Sequence, residues 1–106
     1  MDANRDAGRW GALADGTRLA IVARLADGPQ AVGQLAAGLP VSRSAVSQHL
    51  KILKDAGLVE GVAAGTRRIY RLNPAALAAL RDQLDTYWQR ALARYADVVE
   101  APKEED

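Results

Sequence analysis

Between Ser42 and Gly57 the chain carries one sharply bounded helix with two unlike faces, and few architectures can hold such a helix. Ser42 has the chemistry of an N-cap, the apolar periodicity runs to about Ala56, and Gly57 supplies the terminator. Leu58 is placed to fold back onto Leu53 in a Schellman arrangement. Within the helix, Val46, Leu50, Leu53 and Gly57 recur on one side and point to a core. Arg43, Ser44, Ser47, Gln48, Lys51 and Lys54 fall on the other side and point outward.

The flanking segments fix what this helix belongs to. Val32, Leu35, Ala36 and Leu39 recur at i, i+3, i+4, i+7 and mark a short helix just before it, and Gly38-Leu39-Pro40-Val41 breaks the two apart. Two helices joined by so tight a break have the dimensions of a helix-turn-helix. Upstream, Trp10, Leu13 and Ala14 mark a first short helix. Asp15 can cap a second, with Leu19, Ile21, Val22 and Leu25 on its apolar face and Asp27-Gly28-Pro29 as its stop. Downstream, the strand-like runs Val59–Val62 and Arg68–Leu72 flank Ala63-Ala64-Gly65-Thr66-Arg67, which reads as a β-hairpin. Ile69, alternating with arginines, is expected to anchor that hairpin to the core. Asn73-Pro74 then opens a long helix that continues to about Val99. The expected fold is mainly α, a winged helix-turn-helix of four helices, a hairpin wing and a long C-terminal helix. One domain over 7–99 is expected, with a frayed start (1–6) and a disordered acidic tail (100–106).

Charge and residue type say what the outward face can meet. Residues 41–72 hold six basic groups against two acidic ones, whereas the rest of the chain holds eight against eleven, so a net charge of +1 hides a basic centre. Arg, Gln and Ser on the first turns of the middle helix are the types that meet guanine, adenine or either base edge. Lys51 and Lys54 are better placed for phosphates. Arg67, Arg68 and Arg71 at and beyond the hairpin tip suit phosphates or the minor groove. The plain alternatives are a solvated polar helix face and an edge hairpin that uses charge against aggregation. His49 lies between the two faces, where a backbone or phosphate partner suits it better than a metal.

Several chemistries are excluded. The chain contains no cysteine and one histidine, so thiolate metal sites, disulfides and thiol redox sensing are out of reach. No nucleophile–base pair and no phosphate-binding loop marks an enzyme. No cofactor is expected. No apolar run approaches a membrane span and no signal peptide is evident, which makes the cytoplasm the expected location.

The run Trp10-Gly-Ala-Leu-Ala-Asp-Gly-Thr-Arg-Leu19 and the run Val41-Ser-Arg-Ser-Ala-Val-Ser-Gln-His-Leu-Lys-Ile-Leu-Lys-Asp-Ala-Gly-Leu-Val59 closely resemble the ArsR/SmtB family of winged-helix repressors. The resemblance extends through Gly65-Thr-Arg-Arg-Ile-Tyr-Arg-Leu72. It departs at Gly16, where the family usually has Pro. It implies a dimer joined through the first and last helices, and recognition-helix contacts at Arg43, Ser44, Ser47, Gln48 and His49. It also implies repression of the protein's own operon, relieved by an inducer. The family's metal sites do not carry over. The segment Gln34–Leu39 lacks the Cys pair of metal-responsive members, and the last helix offers Asp82, Asp85 and Asp97 but no His. Its length and aromatic content resemble a metal-independent branch, with a small-molecule inducer as an open partner.

The last helix carries more large apolar residues than a small domain can use. Leu77, Leu80, Leu84, Tyr87 and Ala91 form one seam, and Trp88, Leu92, Tyr95 and Val99 an adjoining one. One seam is expected to cover the domain and the other a partner chain, with Trp10 joining the second surface. Intramolecular packing of both, or a pocket lined by Tyr87 and Trp88, are the alternatives. Dimerisation matches the paired half-sites of an imperfect palindrome in double-stranded DNA. An adaptor whose basic helix docks an acidic protein is the competing function; salt dependence and duplex preference separate the two.

Overall fold

A computed structural model describes residues 8–100 of the chain. The frayed start and the acidic tail expected from the sequence lie outside these residues, except that Glu100 still ends a helix. The elements run α1 (8–12), α2 (Gly16–Ala26), β1 (Gln30–Ala31), α3 (Val32–Ala37), α4 (Arg43–Asp55), β2 (Val59–Ala64), β3 (Arg67–Leu72) and α5 (Pro74–Glu100).

Each helix begins and ends where local hydrogen bonding dictates. Asp15 Oδ1 accepts from the amides of Thr17 (2.9 Å) and Arg18 (3.0 Å), so two of the orphan donors of α2 are satisfied. Ser42 Oγ accepts from Ala45 N at 3.0 Å and starts α4. At the far end Gly57 turns to φ +79°. Its amide donates to Lys54 O and that of Leu58 to Leu53 O, both at 2.9 Å, which completes a Schellman motif. Asn73 Oδ1 accepts from Ala75 N at 3.0 Å and caps α5, with Pro74 as its first residue.

The core is built where α2, α3 and α4 meet the wing. Ile21, Leu35, Val46, Leu50, Leu53 and Leu58 are wholly buried, and Leu25, Val59, Ala76 and Leu80 close the cluster. The sheet has three strands in the order β1-β3-β2, all antiparallel. The hairpin is longer than the sequence runs suggest: Ala64 pairs with Arg67, leaving Gly65 and Thr66 as the turn. Gly65 takes φ +65° at the first central position, as a type II′ hairpin requires. The third strand, β1, was not expected. Two residues behind Gly28-Pro29 are too few to show an alternation, and they become a strand only because β3 is there to pair with Gln30 and Ala31.

Two expectations need correction. Ile69 does not anchor the hairpin. Side chains alternate along a strand, and Tyr70 and Leu72 take the face that packs on the core, while Ile69 turns to the other face opposite Val62. The first seam of α5 covers the domain only at its start. Ala76 and Leu80 are buried and Leu77 is packed against the core, but Leu84 and Tyr87 are about half exposed at 53% and 48%. Trp10 is half-buried: it packs against the core and its indole N–H donates to Gln83 Oε1, which ties α1 to α5.

Candidate nucleic-acid interface

The outward face of α4 is built by its inward one. With Val46, Leu50 and Leu53 locked in the core, the helical repeat sets Ser44, Ser47, Gln48, Lys51 and Lys54 in solvent. Ser44, Ser47 and Gln48 occupy the first turns, the end that a recognition helix offers to base edges. Lys51 Nζ is 2.8 Å from Asp55 Oδ2 one turn on, and this hydrogen bond raises the Lys51 pKa above its ordinary 10.5. Both side chains are well exposed, so the lysine keeps its charge and is free to exchange Asp55 for a phosphate.

His49 is half-buried on the flank of α4, and its Nδ1 lies 3.4 Å from Arg18 Nη1 on α2. A guanidinium only donates, so this contact is a hydrogen bond in the tautomer that leaves Nδ1 unprotonated. Arg18 also donates to Ala12 O. The contact couples the recognition helix to α1 and α2 and leaves Nε2 as the ring nitrogen open to another partner. The Arg18 amide bound to Asp15 holds that carboxyl below its ordinary pKa of 3.8.

The basic residues of the wing separate on inspection. Arg71 lies opposite Glu60 and bonds it at 3.0 Å. Arg68 lies back across the neighbouring strand, its Nη1 only 2.9 Å from where a β-carbon on Gly61 would stand. Arg67 reaches from the wing to α3, its Nη2 donating to Gln34 Oε1 at 3.3 Å. Arg43 does not project beside Ser44 and Gln48. Its guanidinium folds over α3, with Nη1 3.7 Å from the β-carbon position of Gly33.

Gly33, Gln34 and Gly61 escaped the reading of the sequence, although two signals were present. A glycine inside a strand marks close approach of a neighbour, here Arg68. A glutamine three residues into a helix is the far half of a capping box; Gln34 Oε1 accepts from Ala31 N at 2.7 Å. On α5, Leu84, Trp88, Leu92, Tyr95 and Val99 are 49–67% exposed, whereas Trp10 is half-buried against the core. Among the described residues no group of three or more His, Asp or Glu is arranged to hold a metal ion, and no helix is long and apolar enough to cross a membrane.

A helix-turn-helix whose second helix is exposed, followed by an antiparallel wing, defines a winged helix-turn-helix DNA-binding protein. Comparison with known proteins narrows the class. Residues 15–61 match the bacterial regulatory protein family arsR. The chain is 64% identical over 92 residues to the HTH-type transcriptional regulator Rv2034 of Mycobacterium tuberculosis, covering 87% of this chain and 86% of that one. Its structure is similar to an ArsR-like transcriptional regulator from Rhodococcus sp. RHA1, with a TM-score of 0.77, 34% identity, and coverage of 95% of this chain and 98% of that one. It is also similar to the homodimeric winged helix-turn-helix DNA-binding domain of Mb0332 from Mycobacterium bovis, with a TM-score of 0.69, 33% identity, and coverage of 87% and 85%. The chain belongs to the ArsR family; it is a DNA-binding transcriptional regulator and not an enzyme.

Proposed function

We propose that the protein is a homodimeric repressor, held together by the open face of α5 and acting without a thiol metal site. The observation that carries this reading is the apolar stripe Leu84, Trp88, Leu92, Tyr95 and Val99, each about half exposed or more in the single chain. A stripe of this size on a helix is a surface that meets another protein surface. The homodimeric state of the Mb0332 domain supports dimerisation. A two-fold dimer sets two copies of α4 in successive major grooves, about ten base pairs apart in an imperfect palindrome. Ser44, Ser47 and Gln48 then read base edges, His49 contributes its Nε2–H, and Lys51, Lys54, Arg67 and Arg68 neutralise flanking phosphates. Occupancy of the site blocks transcription. With no cysteine in the chain, any inducing signal acts through something other than a thiolate-bound metal.

The test is binding to a labelled duplex from the gene's own upstream region, beside a scrambled duplex, across a salt series. A preference of roughly a thousandfold with a steep salt slope is expected. Equal and weak binding to both duplexes rejects autorepression. A protein that sediments as a monomer at micromolar concentration rejects the dimer.

A further inference from the structure

The start of α3 and the tip of the wing enclose a groove of about 440 Å³, lined by Gly33, Gln34, Arg43, Thr66 and Arg67 among others, with no acidic side chain in its lining. Three arginines line it, Arg43, Arg67 and Arg68, and two of them bring their guanidinium groups to adjacent residues of α3: Arg43 lies over Gly33, and Arg67 is hydrogen-bonded to Gln34, while Arg68 lies back over Gly61. Gln34 is the pivot. Its carboxamide oxygen accepts from both Ala31 N and Arg67, so its two N–H donors stay available for a ligand. Two planar cations, an amide donor and the Thr66 hydroxyl around one small concavity match a tetrahedral anion with several acceptor oxygens.

We infer that this groove seats one phosphate group, that the phosphate belongs to the DNA backbone, and that Arg43 is a backbone clamp and not a reader of bases. The inference rests on the DNA-binding reading above and sharpens one part of it. The first turn of α4 lies on one side of the groove and the wing on the other, so a strand leaving the major groove toward the wing passes over it. A free phosphorylated small molecule offers the same chemistry, and the two sources give different results.

The experiment compares Arg43→Ala, Arg67→Ala and Gln34→Glu with the unsubstituted protein on operator and scrambled duplexes across a salt series. Each arginine variant is expected to lose affinity by the same factor on both duplexes, roughly tenfold near 0.1 M salt, and to flatten the salt slope by about 0.9. Gln34→Glu keeps an oxygen acceptor for Ala31 N and Arg67 but turns the amide donor into an anion. It is expected to lose about as much DNA affinity while its melting temperature holds. A glutamine that only braces the wing against α3 gives a Gln34→Glu protein with full DNA affinity, and that result overturns the clamp. A loss confined to the operator duplex in Arg43→Ala, with the salt slope intact, returns Arg43 to base reading. Inorganic phosphate followed by NMR of the arginine Nε–H signals should bind only in the tens of millimolar. Sub-millimolar binding abolished in Arg43→Ala makes the groove a free-anion site and overturns the backbone assignment. If the unsubstituted protein binds no duplex at all, the DNA-binding reading itself falls, a result distinct from each of these.

Discussion

Two helices of this protein show broad faces to solvent, and the faces are opposite in chemistry. On α4 the exposed side is Ser44, Ser47, Gln48, Lys51 and Lys54, and every large aliphatic residue but Ile52 is turned into the core. On α5 the exposed side beyond Leu80 includes Leu84, Tyr87, Trp88, Leu92, Tyr95, Val98 and Val99. The first helix is finished as a folding unit: capped at both ends, anchored on one stripe and left polar elsewhere. The second is unfinished, because nothing among the described residues covers its apolar surface. The contrast separates two kinds of partner, one recognised through hydrogen bonds and charge and the other through burial of apolar area.

The contrast can be broken at four points, and the largest effect lies on the inner side of α4. Leu50→Ala removes a wholly buried side chain from the middle of the core and should cost about 2–5 kcal/mol in chemical unfolding. A loss below about 1 kcal/mol would mean that the α4 stripe is not the keystone of the domain. Next is Trp88→Glu, which sets a charge in the centre of the α5 stripe. Dimerisation should weaken by about 2 kcal/mol or more in analytical ultracentrifugation, with unfolding of the monomer little changed. An unaltered dimer would move the interface elsewhere.

Gln48→Ala should cost about 1–3 kcal/mol on the operator and relax sequence choice at one position. Equal weakening on every duplex would remove Gln48 from base reading. The smallest effect concerns pH. The carboxyl of Asp15 has a folded pKa depressed below 3.8 by the amides it caps, so its stabilisation is complete above that value. It is lost as pH falls through the lower folded value. The urea midpoint should drop in that acid window, and less so in Asp15→Asn, which keeps a capping oxygen without the charge. Identical acid profiles for the two proteins would show that the charge contributes nothing.

The chain by itself determined the ends of its helices and the polarity of their faces. Asp15, Ser42, Gly57 and Asn73 act on backbone groups within about one turn of themselves, so their effect is readable from neighbours in the sequence. The Schellman closure at Gly57 and Leu58 follows from residue type alone, as does the split of α4 into an aliphatic stripe and a polar one.

Tertiary structure decided the rest. Gln30-Ala31 is a strand only because β3, about 40 residues away, offers an open edge. Ile69 and Tyr70 are both apolar enough to face inward, and it is the pairing register with β2 that sends Tyr70 to the core. The arginines are the clearest case. A guanidinium on a long flexible stem reaches whichever acceptor the fold sets near it. Arg67 finds Gln34 across 33 residues of chain, Arg68 finds the gap left by Gly61, and Arg43 finds the open backbone of Gly33. Residue type made each of them a candidate for DNA. Only the packing of α3 against the wing decided that all three border one groove.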